Sequence, residues 1–528
     1  MRLMFAAVAA MLAATPAMAQ DWYRAETNNF IIISEDDEDE VRRFAAELER
    51  FDMALRNLQN MPVGEEQPSD STKLTVYRFG DIGDISRAAE IPGIAGVYFG
   101  RAGNSAALTP AREERRRSMT VVNVDRSRSR ANRLDEVAVL QHEYVHYFMM
   151  QHFPAAYPSW YVEGYAELLA TTRFNEDGSF HVGDPPQYRV QQIFNMRQFP
   201  LEDMLDQEHE LKGYEGYQFY GTGWLLTHYL TFDPTRLAQL NEYLVAIGQG
   251  EDSLTAARRL FGDLNAIERE LRDYRDGNLP GFDIKPGNYV EPQVQIRALT
   301  RAEEQNITEE IRLIRGVDKD DAASIAGRIQ RSLADYPDDP RLLGLLGTAN
   351  YIADNYDAAQ TAAARLMEVA PDNIVGPLVA SWVAAERSET DPAWADRAIQ
   401  YAAQAHEIDR EDPRARIAYY SAFLESGREP PEDAIIALEQ AFATAGSDAY
   451  YRIILARQLL TEDRNKDAKA VLQPIAFRGH NQGSSDDDDD RDEDMPPSLD
   501  DVMELIEAGS SAEAVTAIDE ILDYEGDD

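Results

Sequence analysis

Along the chain the spacing of apolar residues changes repeatedly, and each change marks an element. Asn29-Phe30-Ile31-Ile32-Ile33 is a short apolar run of the kind that forms a buried strand. Ser34 follows as a candidate N-cap, and acidic residues 35–40 occupy the first turn of a helix, where the helix dipole favours them. From about 38 to 58, Val41, Phe44, Ala45, Leu48, Phe51 and Leu55 recur at helical spacing and define one buried face. Lys73–Tyr77, Val97–Phe99, Ala106–Leu108 and Met119–Val124 read as further strands, with Gly100 and Gly103 breaking the second from the third. A helix among several short strands predicts a mixed sheet with helices to one side. From about 133 to 275 the spacing is mostly helical, and Gly and Pro then crowd between Gly277 and Pro292, which marks a domain end.

Beyond that point the pattern is one of helical hairpins. Asp339-Pro340 opens one helix, Tyr356-Asp357 opens its partner, and Pro371-Asp372-Asn373 closes the pair. Pro337 and Pro371 lie 34 residues apart, the tetratricopeptide period, and the Tyr, Ala and Pro positions resemble that family. Asp412-Pro413 and Ala434–Ala443 suggest later, looser copies. Such repeats form a core only by stacking, so several are expected. Leu499–Tyr524 reads as a last, acidic helical hairpin. The resulting division is 1–19, 20–277, 278–318 as a connector, 319–480 as repeats, 481–498 as an acidic linker and 499–528 as a helical tail. The fold class is then α+β, a mixed sheet plus helices, followed by an all-α repeat domain.

Composition adds location and excludes some partners. Arg2, the apolar stretch from Leu3 to Ala14 and the small-x-small pattern Ala17-Met18-Ala19 read as an export signal, giving a mature start at Gln20 and a periplasmic or secreted protein. That stretch is too short to span a bilayer, and no later segment is apolar enough, so no integral membrane segment is expected after signal removal. With no cysteine, stability rests on the core. The net charge of −44 argues against nucleic acid and anionic membranes. From Asp486 to the end there are 19 acidic residues against one arginine, read as a solubilising tail. Against this background Arg112, Arg115, Arg116, Arg117, Arg126, Arg128, Arg130 and Arg133 form a basic stretch, read as a solvated loop or a site for acidic groups.

The segment with chemistry is His142-Glu143-Tyr144-Val145-His146. Histidines at i and i+4 lie on one helical face, where two imidazole nitrogens reach one zinc at about 2.0–2.1 Å. Glu143 beside them suits a base acting on the water that the metal activates. A catalytic zinc site needs a third protein ligand and an open position. Glu163, in Trp160-Tyr161-Val162-Glu163-Gly164-Tyr165-Ala166-Glu167, is the first candidate, on a helix starting near Ser159 after Pro154 and Pro158. Glu167, one turn on, is placed to accept a hydrogen bond from the back nitrogen of a ligand histidine. His152 is the second candidate ligand.

His-Glu-x-x-His paired with Trp-x-x-Glu-Gly-x-Ala-Glu resembles the gluzincin zinc metallopeptidases. It is most similar to their peptidase MA-like group, often exported from bacteria, and to the aminopeptidase-N type. The resemblance makes Glu163 the third zinc ligand and Glu167 the acid behind a histidine. His152 instead matches the spacing of the three-histidine metzincin pattern, but Met149 stands where that pattern turns on a glycine. Further on, Tyr220-Gly221-Thr222-Gly223-Trp224 is similar to the aminopeptidase helix whose tyrosine binds the oxyanion, so that role falls on Tyr220, with Tyr217 next; Thr222 replaces the family's lysine. The aminopeptidase Gly-x-Met-Glu-Asn motif is absent, which implies an endopeptidase. Gluzincins also pair substrate with an edge strand, a part open to Ala106–Leu108 or Met119–Val124.

The resemblance therefore implies a zincin-like catalytic domain that hydrolyses peptide bonds, with Zn2+ on His142, His146 and Glu163, Glu143 as base and peptides or proteins as substrate. Two rival readings stand beside it. One is a cell-envelope scaffold that binds protein partners through the repeats and carries an inactive zincin domain; the other is a zinc hydrolase of non-peptide bonds.

Overall fold

The structure, a computed structural model, describes residues 22–64, 69–80, 82–91, 96–110, 136–175, 177–206, 209, 211–476 and 497–527. The export signal, the Met119–Val124 strand, the Arg112–Arg133 stretch and linker residues 481–496 lie outside them.

The first half builds a sheet. Strands β1 (Tyr23–Glu26) and β2 (Phe30–Ser34) lead into helix α1 (Glu38–Leu58), then β3 (Leu74–Phe79), α2 (Ile82–Ala89), β4 (Val97–Phe99) and β5 (Ala106–Pro110). Next come α3 (Glu136–His152), α4 (Ser159–Leu169), β6 (Arg173–Phe174) and β7 (Phe180–Val182). Helices α5 (Leu201–Leu205), α6 (Glu215–Phe232), α7 (Pro234–Gly248), α8 (Ser253–Phe261) and α9 (Leu264–Asp276) follow, and then β8 (Phe282–Ile284), β9 (Gln295–Ala298) and α10 (Arg301–Arg315). Among the described residues the main sheet has the order β4-β5-β3-β2-β1-β9 and a smaller one the order β6-β7-β8. β2, β3 and β5 run parallel; β4, β1 and β9 join antiparallel at the two sides.

Helices cover both faces of the main sheet, where one covered side was expected. Phe30 and Ile32 join a core with α1, α3 and α4, while Ile31 and Ile33 join another with α2 and α10. The unbroken apolar run of β2 is the signature of a strand buried on both sides. The strand also takes in Ser34, which pairs with Arg78, so the cap of α1 is Asp37, accepting from the Glu40 backbone N–H, rather than Ser34. The proposed connector 278–318 is built into the fold: it carries β8, β9 and α10, and β9 closes the sheet against β1. Ala106–Leu108 is paired on both sides, by β3 and β4, so it offers no free edge.

The remainder of the described chain is helical: α11 (Lys319–Leu333), α12 (Pro340–Ile352), α13 (Tyr356–Val369), α14 (Val375–Thr390), α15 (Ala395–Ile408), α16 (Pro413–Glu425), α17 (Glu432–Ala445), α18 (Ala449–Thr461), α19 (Asn465–Ala476), α20 (Leu499–Glu507) and α21 (Ser511–Asp527). Consecutive helices pack against one another, with small residues between them: Gly344 and Gly347 of α12 face Val375 and Val379 of α14. The hairpin α20–α21 is not a loose tail, because Val502, Ile506, Ala514 and Ile518 complete the core of α18 and α19. The array touches the sheet half at fixed points. The Ala102 N–H donates to Asp448 Oδ2 at 2.7 Å, and Gln151 Nε2, at the end of α3, donates to the Ala443 carbonyl at 2.6 Å. Among the described residues no helix is long and apolar enough to cross a membrane.

Candidate metal centre

Helix α3 is anchored from below. Leu140, Tyr144, Val145 and Phe148 are buried in the sheet core, and the Tyr144 hydroxyl donates to Asp52 Oδ1 of α1 at 2.7 Å. Asp52 also accepts from Arg56 Nε at 2.7 Å and Asn29 Nδ2 at 3.0 Å, so this buried carboxylate ties α1, α3 and the start of β2 together. The face opposite Tyr144 presents His142 and His146 to α4.

Two glycines set how close the next layer comes. A Cβ on Gly164 of α4 would lie 2.5 Å from the Gly223 carbonyl oxygen of α6 and 2.2 Å from Thr227 Oγ1. Only a bare backbone at 164 lets α4 and α6 cross this tightly. The crossing puts Glu163 and Glu167 of α4 beside Tyr220 of α6. Gly221 does the same for the segment after the tight turn Gln187–Arg189, since a Cβ there would lie 2.6 Å from Gln192 Cβ.

The donor atoms converge. His142 Nε2 and His146 Nε2 are 3.0 Å apart, and Glu163 Oε2 lies 3.2 Å from the first and 3.8 Å from the second. A tetrahedral ion with arms of about 2.0–2.1 Å spaces its ligand atoms about 3.3–3.4 Å apart, and these three distances bracket that edge. Among the described residues this is the group of His, Asp and Glu side chains whose donor atoms lie close enough together that they could hold a metal ion.

Electrostatics agree with the geometry. Burial disfavours a charge on His142, but Glu163, Glu167 and Glu143 outweigh it and raise its pKa to about 9. Burial would likewise raise Glu163, yet His146, His142 and Arg189 hold it down at about 2. The cluster thus stabilises positive charge, and a divalent cation competes with imidazole protons for it. Glu143 is pushed up, first by burial and then by Glu163 and Glu167, with His142 opposing. A carboxylate of raised pKa is a stronger base.

The surrounding residues divide clearly. Glu167 Oε1 lies 3.7 Å from His142 Nδ1, in the expected place but beyond hydrogen-bond length. Its firm partners are Tyr188, whose hydroxyl donates to Oε2 at 2.8 Å, and Arg189, whose Nε donates to Oε1 at 2.8 Å. Neither residue was marked by the sequence reading; the nearest sequence signal is Pro185-Pro186 just before them. Tyr220 lies within the site's field: its hydroxyl is pushed up by burial and by Glu163, Glu167 and Glu143. Tyr217, one turn earlier, is 50% exposed. His152 is not brought to the cluster. Helix α3 runs on through Met149 instead of turning, and six helical residues carry His152 to another side, where its ring packs on Phe148 at 4.7 Å.

Compared with family models and with curated proteins, the chain matches none.

Proposed function

We propose that this chain is a zinc-dependent endopeptidase of the gluzincin type. The observation that carries the reading is the convergence of His142 Nε2, His146 Nε2 and Glu163 Oε2 within 3.0–3.8 Å of one another. Two imidazoles and one carboxylate suit zinc and leave a fourth position for water. Zinc held by these residues would supply a Lewis acid able to lower the pKa of water and polarise a carbonyl. Glu143 takes the proton of the attacking water and returns it to the leaving amine. Tyr220 donates its phenolic hydrogen to the oxygen on which negative charge grows. His142, His146 and Glu163 keep their places through the anchoring of α3 and the tight crossing of α4 on α6.

On this reading the sheet half with α3–α9 is a zincin-like catalytic domain, and helices α11–α19 are tetratricopeptide-like repeats that recruit a protein partner or the substrate. The N-terminal pattern of Arg2, the apolar stretch and Ala17-Met18-Ala19 supports work outside the cytoplasm, in the periplasm or beyond. The test combines zinc content by mass spectrometry with cleavage of a peptide library in the presence and absence of a chelator. Zinc near one per chain and chelator-sensitive cleavage are expected. Glu143→Gln should keep the zinc and lose at least about 10²–10⁴-fold in turnover. Undiminished cleavage by that variant would refute the mechanism, and cleavage only of esters or non-peptide amides would turn the assignment to another hydrolase.

A further inference from the structure

Arg189 stands between two functional groups that come from different helices. Its Nε and a terminal nitrogen both reach Glu167 Oε1, at 2.8 and 2.7 Å, and its guanidinium carbon lies 4.5 Å above the centre of the Tyr220 ring. Glu167 is 1% exposed and Arg189 14%, so the pair is sheltered from solvent. The arginine sits on the turn Gln187–Arg189, which Pro186 leads into with φ −63°, and the following residues rest on Gly221. The stem of the arginine is therefore fixed by its turn, and the guanidinium by its partners.

We propose that Arg189 is the positioning residue of this site, fixing the Glu167 carboxylate behind His142 and the Tyr220 ring beside Glu163 with one planar cation. The proposal rests on the zinc reading above. Two bonds to one side of Glu167 hold its Oε1 toward His142 Nδ1, the nitrogen that must carry the hydrogen if Nε2 is to bind metal. Without the guanidinium, Glu167 is a buried anion in company with Glu143 and Glu163, and nothing but Tyr188 keeps it facing the histidine. The same change removes the flat cation from the Tyr220 face, where cation–π attraction fixes the ring. A lysine returns the charge but neither the fork nor the flat surface.

The test measures zinc affinity of the metal-free full chain by competition with a chromophoric chelator. Wild type, R189M, R189K, E167Q and the double variant R189M/E167Q are compared, with thermal melting of each metal-free form. R189M should weaken zinc binding about 10–100-fold, and R189K should restore only part of that. In the double variant the loss should be close to that of E167Q alone, because the arginine acts through the glutamate. At saturating zinc, R189M should also lower kcat while KM changes less than about twofold, since Tyr220 serves the transition state. A purely structural arginine would lower the melting temperature and leave the zinc Kd unchanged, which overturns the proposal. So does a double variant whose loss is the full product of the two single losses. If R189M does not fold, E167Q decides: zinc affinity equal to wild type overturns the proposal. Wild type that takes up no zinc refutes the peptidase reading and this one with it, whereas tight wild-type binding with an unaffected R189M refutes this one alone.

Discussion

The sheet half and the helical array handle charge differently. In the sheet half, Glu167 beside the candidate metal centre and Asp52 and Glu49 beneath α3 are all less than 4% exposed, and each is met by a set of donors. Inside the array the layer between α14, α15 and α16 is mostly alanine, with Ala384, Ala385, Ala398, Ala402, Ala405, Ala415, Ala418 and Ala422 beside Leu378. Several of its arginines reach acids on the outside, as Arg365 does with Asp338, although Arg414 reaches the buried Asp412. Among the described residues of the array the fully buried cation is Arg452, near the contact with α3, where Nε donates to the Gly446 carbonyl and Nη1 to that of Val471. Burying charge is costly unless every partner is in place. The sheet half uses its buried acids to tie helices and strands to one another, whereas in the array buried charge sits at a few places, Asp412, Asp448 and Arg452, and most of the interior is simply stacked helices.

The contrast can be broken at its strongest point by Asp52→Ala. Arg56 and the Tyr144 hydroxyl then lose their buried partner, and denaturant unfolding should show a loss of about 3–5 kcal/mol. Acid should act next. Burial lowers the pKa of His228 to about 4, and its ring is satisfied in the neutral form by the Gly183 carbonyl at 3.0 Å and the Tyr274 hydroxyl at 2.8 Å. Between pH 6.5 and 4 the unfolded chain takes up a proton here that the folded chain does not, so stability falls as pH falls through that window, by up to about 3 kcal/mol. His228→Gln should flatten this part of the pH profile of unfolding. Gly164→Ala should cost about 1–3 kcal/mol, and more tellingly should abolish cleavage, because α6 must withdraw from α4 and carries Tyr220 with it. In the array the same substitution should have the opposite sign. A Cβ on Gly327, exposed in α11, has 4.0 Å of clearance from Arg331, so Gly327→Ala should stabilise by about 0.5–1 kcal/mol in the same unfolding assay.

Much of the fold was legible because it rests on short-range pattern. The face of α1, the cores of β2 to β5 and the hairpin of α12 and α13 follow from residue spacing, and the i, i+4 histidines with Glu163 follow from a motif. What escaped depends on contacts between distant segments. The cap of α1 fell among six consecutive acids, and only the pairing of Ser34 with Arg78 selects Asp37. Helices on the second face of the sheet come partly from α10, more than 200 residues from β2. Tyr188 and Arg189 carry no periodic or motif signal at all; their role exists only once α4, α6 and the turn after Pro186 have met.

The pairing of β1 with β9 sets the order in which this molecule is completed. Tyr23 finds Ala298 only after about 270 further residues have been synthesised. At roughly 5–20 residues per second, the flank of β1 waits a quarter of a minute or more for its neighbour. Until then it is a row of unsatisfied amides and carbonyls, open to any extended segment nearby. A chain cut before residue 295 keeps His142, His146 and Glu163, yet it inherits that sticky flank permanently, so trimming the protein to its motif-bearing half should yield aggregates rather than a smaller soluble domain.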